Sequence, residues 1–407
     1  MKKKIITLII VVVTLSALVA GWFVYQTLTA PESVEPDEYS PTDTSPFFPS
    51  GGGNTTGTVG TSTSSGGTPF SPIQSTQRLR MVHIKPVVGA TFVLSKTGST
   101  TIRFMESETG HIFERNNETG EVLRLTNTTI PHIQNVVWGE NASTTVLQYL
   151  QDNADTIETF IGTIEPEQEV SGVGSLVGSF LPNDISFVSI SPDTQKVLYL
   201  LEESGNLNGY TYTFKDGSVR NIFTLPLTEV IPQWVTDTTI LLTTRVAHGL
   251  PGYTYQIKTT GLGFSKLLGP VSGLTSLSDG LISYILYARE DVLFVHTLAT
   301  GVSESFGLKT IPDKCVWSTK NTTTVYCAVP QTLLGNMFPE NWYQGKLQTE
   351  DALWKLDVAE KTSEIIFNPE TEGLSFDVDT LSIDPDETHL LIHDRNTSLE
   401  YLLRIEK

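Results

Sequence analysis

Cysteine and positive charge are both scarce in this sequence. Cys315 and Cys327 are the only thiols in 407 residues, too few for a disulfide scaffold and wrongly spaced for a zinc knuckle. Lysine and arginine number 26 against 45 aspartates and glutamates, a formal net charge of −19. Such a surface repels nucleic acid and anionic lipid headgroups, so both are discounted as partners. The acidity is read instead as keeping an exported domain soluble. Catalytic signatures are missing too. The chain has no Gly-x-Ser-x-Gly elbow, no His-Glu-x-x-His, no Cys-x-x-Cys, no Walker loop and no dinucleotide fingerprint. A nucleophilic serine on a strand-to-helix turn therefore has no candidate, and no cofactor or metal is expected.

What the chain does have is a strand-pair pattern that returns about every 40 to 50 residues from Arg78 onward. A Val/Ile/Leu/Tyr-rich strand recurs as Ile102–Met105, Val146–Leu150, Val197–Leu201, Ile240–Thr244, Ile282–Tyr287, Val325–Val329 and Leu390–His393. Most copies precede a second strand carrying aromatics, such as Tyr210–Phe214 and Tyr253–Ile257. Pro131, Pro182, Pro232 and Pro312 mark junctions between copies. A period of this size built from strands predicts an all-β propeller, of seven blades by this count, over residues 78–407.

Before the repeats the chain changes character twice. Met1–Lys4 carry positive charge ahead of Ile5–Tyr25, which has no charged residue. A helix over that stretch spans roughly 31 Å, enough to cross a bilayer core of about 30 Å, so residues 5–25 read as a single transmembrane signal anchor. Positive charge at the tip places 1–4 in the cytoplasm and everything after Tyr25 outside it. Leu28-Thr29-Ala30 offers a cleavage site, and secretion after processing stays open as an alternative. Residues 26–77 then form a Pro/Ser/Thr/Gly-rich tract, with no Lys or Arg, that lacks the apolar side chains a core needs. It is expected to be a disordered stalk.

The turns carry a resemblance. Ser191-Pro192-Asp193 before a Val-Leu-Tyr strand, echoed by Asp384-Pro385-Asp386, resembles the blade signature of TolB-like and WD-repeat-like propellers. The same signature occurs in the propeller domains of prolyl-oligopeptidase-type enzymes. The stretch 78–407, with Val87-Val88-Gly89-Ala90 and Thr109-Gly110-His111-Ile112, is also similar to membrane-anchored proteins of uncultured bacterial lineages. The resemblance implies the propeller fold and carries no activity.

Several clusters invite a chemical reading and have a plainer one. Gly172, Gly174 and Gly178 lack the spacing and the strand–helix frame of a phosphate loop. His389 and His393 lie on one face of a strand but roughly 13 Å apart, too far for one ion. Asp377, Asp379, Asp384 and Asp386 lack the glycine and spacing of a calcium loop and suit turns. Asn127 and Asn321 head Asn-x-Thr sequons better read as polar turns. The more promising segment is the long connection in blade 6, with Phe338, Trp342 and Tyr343. Connections of that length inside a compact domain are often functional, and Trp and Tyr suit binding faces. The alternative is that these aromatics fold back as a satellite core.

Three structural expectations follow. Arg78–Ile84 should supply the outer strand of the last blade beside Leu399–Ile405, closing the ring. The blade 6 connection and the glycine-rich 165–182 passage, at least where it reaches its blade junction, should share the face away from the stalk. A hairpin turning at Lys320–Thr322 should pair Cys315 with Cys327, within disulfide reach. In function, the expectation is a non-catalytic protein-interaction or ligand-binding module of the cell envelope, its partner unidentified. The alternatives are an envelope enzyme acting on peptides or glycans, and an accessory subunit of an export or surface-assembly machine. A buried carboxylate pair or carboxylate–histidine pair in the channel would favour the enzyme.

Overall fold

The strand pairs assemble into seven four-stranded antiparallel sheets, the blades of a propeller. The structure is a computed structural model, and the described residues are 78–94, 99–139, 141–151, 156–165, 173–335 and 337–405. The expected membrane span at 5–25 and the stalk at 26–77 lie outside them. Among the described residues no helix is long and apolar enough to cross a membrane.

Six blades are continuous in sequence: 87–124, 133–180, 187–225, 230–272, 275–309 and 315–367. Each is ordered A to D from the channel outward. The seventh is composite. Its strands A, B and C are Val378–Ile383, His389–Asp394 and Leu399–Arg404, and its outer strand is Leu79–Met81 from the other end of the domain. Leu79 pairs with Leu403, Arg80 with Leu402 and Met81 with Tyr401. This is the closure that the segment before the first blade predicts, and it leaves blade 7 with the same four strands as its neighbours.

The apolar core is a ring. A sheet with alternating side chains has two faces to cover, and each blade covers them with the blades on either side. Seven buried clusters result, one at each blade interface. Leu198 and Leu200 of blade 3 meet Ile240 and Leu242 of blade 4, and Leu286 and Val295 of blade 5 meet Val325 and Cys327 of blade 6. Leu79 belongs to the cluster between blades 6 and 7, while Val82 belongs to the one between blades 7 and 1.

Polar side chains set the turns between strands A and B. Ser191 Oγ accepts the Lys196 N–H at 2.9 Å, and its hydroxyl donates to Asp193 Oδ1 at 2.5 Å. In blade 7, Asp384 Oδ1 accepts the N–H groups of Thr388 and His389 at 2.6 and 2.8 Å. Blade 5 holds a third copy without proline, in which Asp279 Oδ1 accepts Ser283 and Tyr284 N–H at 2.8 and 2.9 Å. In all three, the residue three positions on takes a left-handed φ: Thr194 57°, Ile282 57° and Glu387 55°.

Two boundary expectations are corrected. Pro232 lies inside strand A of blade 4, Val230–Thr236, rather than at a junction. An innermost strand pairs on one side only, so a missing N–H facing the channel leaves the ladder intact. The segment following Glu165 joins strands C and D of blade 2, Ile157–Glu165 and Ser175–Phe180. It therefore begins and ends on the A–B/C–D face, and only its continuation past Phe180 reaches the opposite one. Gly174 and Gly178 serve close backbone approach: a Cβ would meet Glu165 O at 2.2 Å and Ile161 O at 1.8 Å.

The register of the blade 6 hairpin matches the expected one. Val316 pairs with Tyr326 and Cys315 with Cys327, and a disulfide joins the two sulfurs. Both cysteines sit in the cluster between blades 5 and 6.

Removing the closing strand should be costly. Deletion of residues 78–84 is expected to lower the guanidinium unfolding midpoint sharply, and Leu79→Ala alone to cost about 2–4 kcal/mol. An unchanged midpoint for the deletion would mean that the ring does not depend on this strand.

Candidate functional site

The face made by the B–C and D–A connections carries the irregular structure. Strand B of blade 6, Thr324–Pro330, ends there, and strand C, Asp351–Asp357, starts there. The connection between them contains one short helix, Glu340–Tyr343. It reaches both ways around the ring. Glu340 Oε2 accepts the His248 N–H of blade 4 at 3.2 Å, and the Tyr343 carbonyl accepts Arg395 Nη2 of blade 7 at 3.3 Å.

Its aromatics point down into the protein. Phe338 is 1% exposed and Trp342 2%, and both pack with Ala288, Ile311 and Leu334 in a satellite core. The expected aromatic binding face is therefore absent at these two positions, because the connection has its own apolar surface to bury. Tyr343 is partly buried, its ring edge-on to Trp342.

Beneath Trp342 lies a buried charge network. Lys314 is wholly buried, and its Nζ contacts Asp351 Oδ2 at 2.7 Å, Asp377 Oδ1 at 2.9 Å and Thr349 Oγ1 at 2.8 Å. Trp342 Nε1 and Thr349 Oγ1 also donate to Asp377 Oδ1, each at 2.7 Å. The Trp342 ring centre lies 4.5 Å from Lys314 Nζ and 4.5 Å from Arg395 Cζ, a distance at which cations stabilise an indole. One lysine faces two carboxylates, and they divide accordingly. Burial pushes Asp351 up, over the opposing pull of Lys314. Burial acts on Asp377 too, but Lys314 and the hydrogen bonds from Trp342, Lys314 and Thr349 outweigh it and hold the group below the usual carboxylate range.

One residue earlier the chain faces the channel. Pro312–Lys314 form a single 3-10 turn lying against the inner strands of blades 5 and 7. Its first-turn acid, Asp313, stays accessible to solvent although protein crowds it on the other sides. That crowding raises its pKa, and the neighbouring charge of Asp379 adds to the rise against the opposing pull of Tyr343 and Lys314. The Tyr343 hydroxyl is directed at Asp313 without closing a full hydrogen bond, and burial, then the charge of Asp313, raises it well above its ordinary value. Asp313 and Asp379 thus place two carboxyl groups at the channel mouth, with the neutral Tyr343 hydroxyl beside Asp313.

The remaining sequence candidates scatter. Asp377 belongs to the charge network and Asp384 to a turn on the opposite face, with strand Val378–Ile383 between them. Asp386 is exposed, 3.5 Å from Lys320. His389 contacts Thr388, whereas His393 Nδ1 lies 3.1 Å from Glu400 Oε2. Burial would lower the His393 pKa, but Glu400 and the charges of Asp379 and Asp394 raise it. Among the described residues no group of three or more His, Cys, Asp or Glu is placed to hold a metal ion. Sequence reasoning passed over Asp313, Lys314, Asp351 and Arg395. The one local hint was a charged pair directly ahead of the apolar strand Cys315–Trp317.

Replacing Lys314 by Met should strand two buried carboxylates and cost about 3–5 kcal/mol in urea unfolding. A loss under about 1 kcal/mol would mean that the network contributes little. Asp313 gives a pH signature. Its raised pKa means that the folded protein favours the protonated form. Its stabilising contribution is full below the unfolded value of about 4 and is lost as pH rises through the folded one. Asp313→Asn should therefore melt above the parent at pH 7, with the difference closing as pH falls toward about 4. A constant difference across that range would contradict the shift.

No protein-family model matches this sequence, and no curated protein matches it. Among solved structures, the chain aligns with an oligogalacturonate lyase in complex with manganese at a TM-score of 0.49 and 10% identity, covering 80% of this chain and 99% of that one. An oligogalacturonate lyase from Vibrio parahaemolyticus aligns at 0.47 and 11%, covering 79% and 99%. The tricorn protease aligns at 0.48 and 11%, covering 82% of this chain and 35% of that chain. No residue role is carried over from any of them.

Proposed function

We propose that this protein is an extracytoplasmic β-propeller, held at the cell membrane through residues 5–25, that binds an envelope protein or ligand on its B–C/D–A face without chemistry of its own. One observation carries the choice of face. Among the described residues, four cavities, of about 470, 430, 180 and 40 Å³, are lined by residues of that side. The largest two are lined by Tyr149 and Glu158 of blade 2, and by Phe187, Leu207 and Arg245 of blades 3 and 4. Strand direction adds to this: the closing strand Leu79–Met81 starts on the A–B/C–D face, so the chain enters the propeller on the side opposite these cavities.

An enzyme is the second reading, and Asp313 is what favours it. A carboxyl with a raised pKa beside a second carboxylate is a common arrangement for a general acid. Peptide or glycan hydrolysis that is lost in Asp313→Asn would move the assignment to that class.

Photocrosslinking tests the binding face. A photoreactive side chain at exposed Leu250 or Leu333, on the B–C connections, should give partner adducts in intact cells. The same group at exposed Leu262 or Leu281, on the A–B/C–D face, should not. Adducts confined to the second pair would overturn the assignment.

A further inference from the structure

Lys314 Nζ and Asp351 Oδ2 stand 2.7 Å apart, and neither side chain is exposed. An amine and a carboxyl group are the two halves of an amide. Folding holds them together, which removes the encounter that makes their condensation slow in water. Phe338 and Trp342 are buried over the same site. A dry site favours loss of water and deprives the reverse hydrolysis of its reactant.

The two carboxyl groups around Lys314 suit different parts. Asp351 Oδ2 accepts the Val378 backbone N–H at 2.7 Å as well as Lys314 Nζ. That N–H is placed to hold negative charge developing on Oδ2. Asp351 Oδ1 has no hydrogen-bond partner. Burial raises this carboxyl, and with Oδ2 already accepting two donors the proton of the neutral form belongs on Oδ1. A protonated carboxyl can lose its hydroxyl as water, which a carboxylate cannot. Asp377 is the opposite case. Its Oδ1 lies 2.9 Å from Lys314 Nζ, and its hydrogen bonds keep it ionised and able to take a proton. A buried lysine freed of its proton is a nucleophile.

We propose that Lys314 and Asp351 join after folding in an intramolecular isopeptide bond, from Nζ to Cγ, with Asp377 as the proton acceptor. The Lys314 ammonium passes one proton to Asp377, and the freed electron pair attacks Asp351 Cγ. The C–N bond forms and the Cγ–Oδ1 bond breaks. The departing hydroxyl takes a second proton from the nitrogen and leaves as water. An ammonium, a carboxyl and a carboxylate thus become an amide, a water and a carboxyl, with no change of oxidation state and no co-reactant. The bond joins residues 37 apart in sequence, against 12 for the disulfide. It encloses strands A and B of blade 6 and the whole connection that carries Trp342, so that connection stays fastened to the ring even when its packing loosens.

Peptide mass mapping of the full-length chain, folded, then denatured, reduced and digested with trypsin, tests it. The fragments carrying Lys314 and Asp351 should appear as one branched species, lighter than their sum by one water, with no cleavage after Lys314. Asp351→Ala should abolish the branch. Asp377→Asn, in protein shown to be folded by circular dichroism, should lower the branched fraction at least tenfold. Separate, unmodified fragments from the parent chain overturn the proposal whatever the variants do, and so does a branch from Lys314 to any other carboxyl group. Folded Asp377→Asn that crosslinks as fully as the parent overturns the part given to Asp377.

Discussion

Three backbone pairs, Leu79 with Leu403, Arg80 with Leu402 and Met81 with Tyr401, join the two ends of the propeller. The rest of the molecule depends on that junction, because no blade buries its apolar faces alone. Each of the seven interface clusters needs the blade on either side. An open ring would leave two sheet faces uncovered and a long strand edge unpaired. The short first strand contributes to two clusters at once, through Leu79 toward blade 6 and through the adjoining Val82 toward blade 1.

The charge network under the blade 6 connection is a local constraint of a different kind. A buried ion needs opposite charge and hydrogen bonds, and Lys314 Nζ commits all three of its donors here, while Asp351 Oδ1 keeps no hydrogen-bond partner. Lys314 is met by Asp351, Asp377 and Thr349, which come from the end of the connection and from the next blade. Trp342 closes the set from above through its indole N–H. The connection is thereby held to the ring, and its aromatic residues are spent on holding it. A single residue step in the 3-10 turn divides the roles. Lys314 faces the interior, while its neighbour Asp313 stays accessible to solvent at the channel.

Much of the architecture was legible because its signals are local. Alternating strands, recurring turn residues and the unpaired strand before blade 1 led to seven blades in the right order and to the closing pair. The cysteine register followed from counting outward from one turn. Errors arose where a residue type stood in for a mechanism. Proline was taken as the mark of a junction, and Pro232 lies in a strand whose inner edge has no ladder to break. Proline was also taken as the mark of the A–B turn. The blade 5 copy escaped notice because the carboxylate of Asp279, not a proline, holds it.

By itself, then, the sequence determined the strand count, the blade order, the closure and the hairpin pairing. All of these rest on a period of two along a strand and on turn chemistry within a few residues. It also marked the blade 6 connection by its length and its aromatics, without the charge network beneath it. Only the tertiary structure decided that Phe338 and Trp342 turn inward and that Lys314 is shared by Asp351 and Asp377. Each of those outcomes depends on side chains from different blades meeting across an interface, tens of residues apart in the chain. No periodicity in the sequence encodes which of them will face one another.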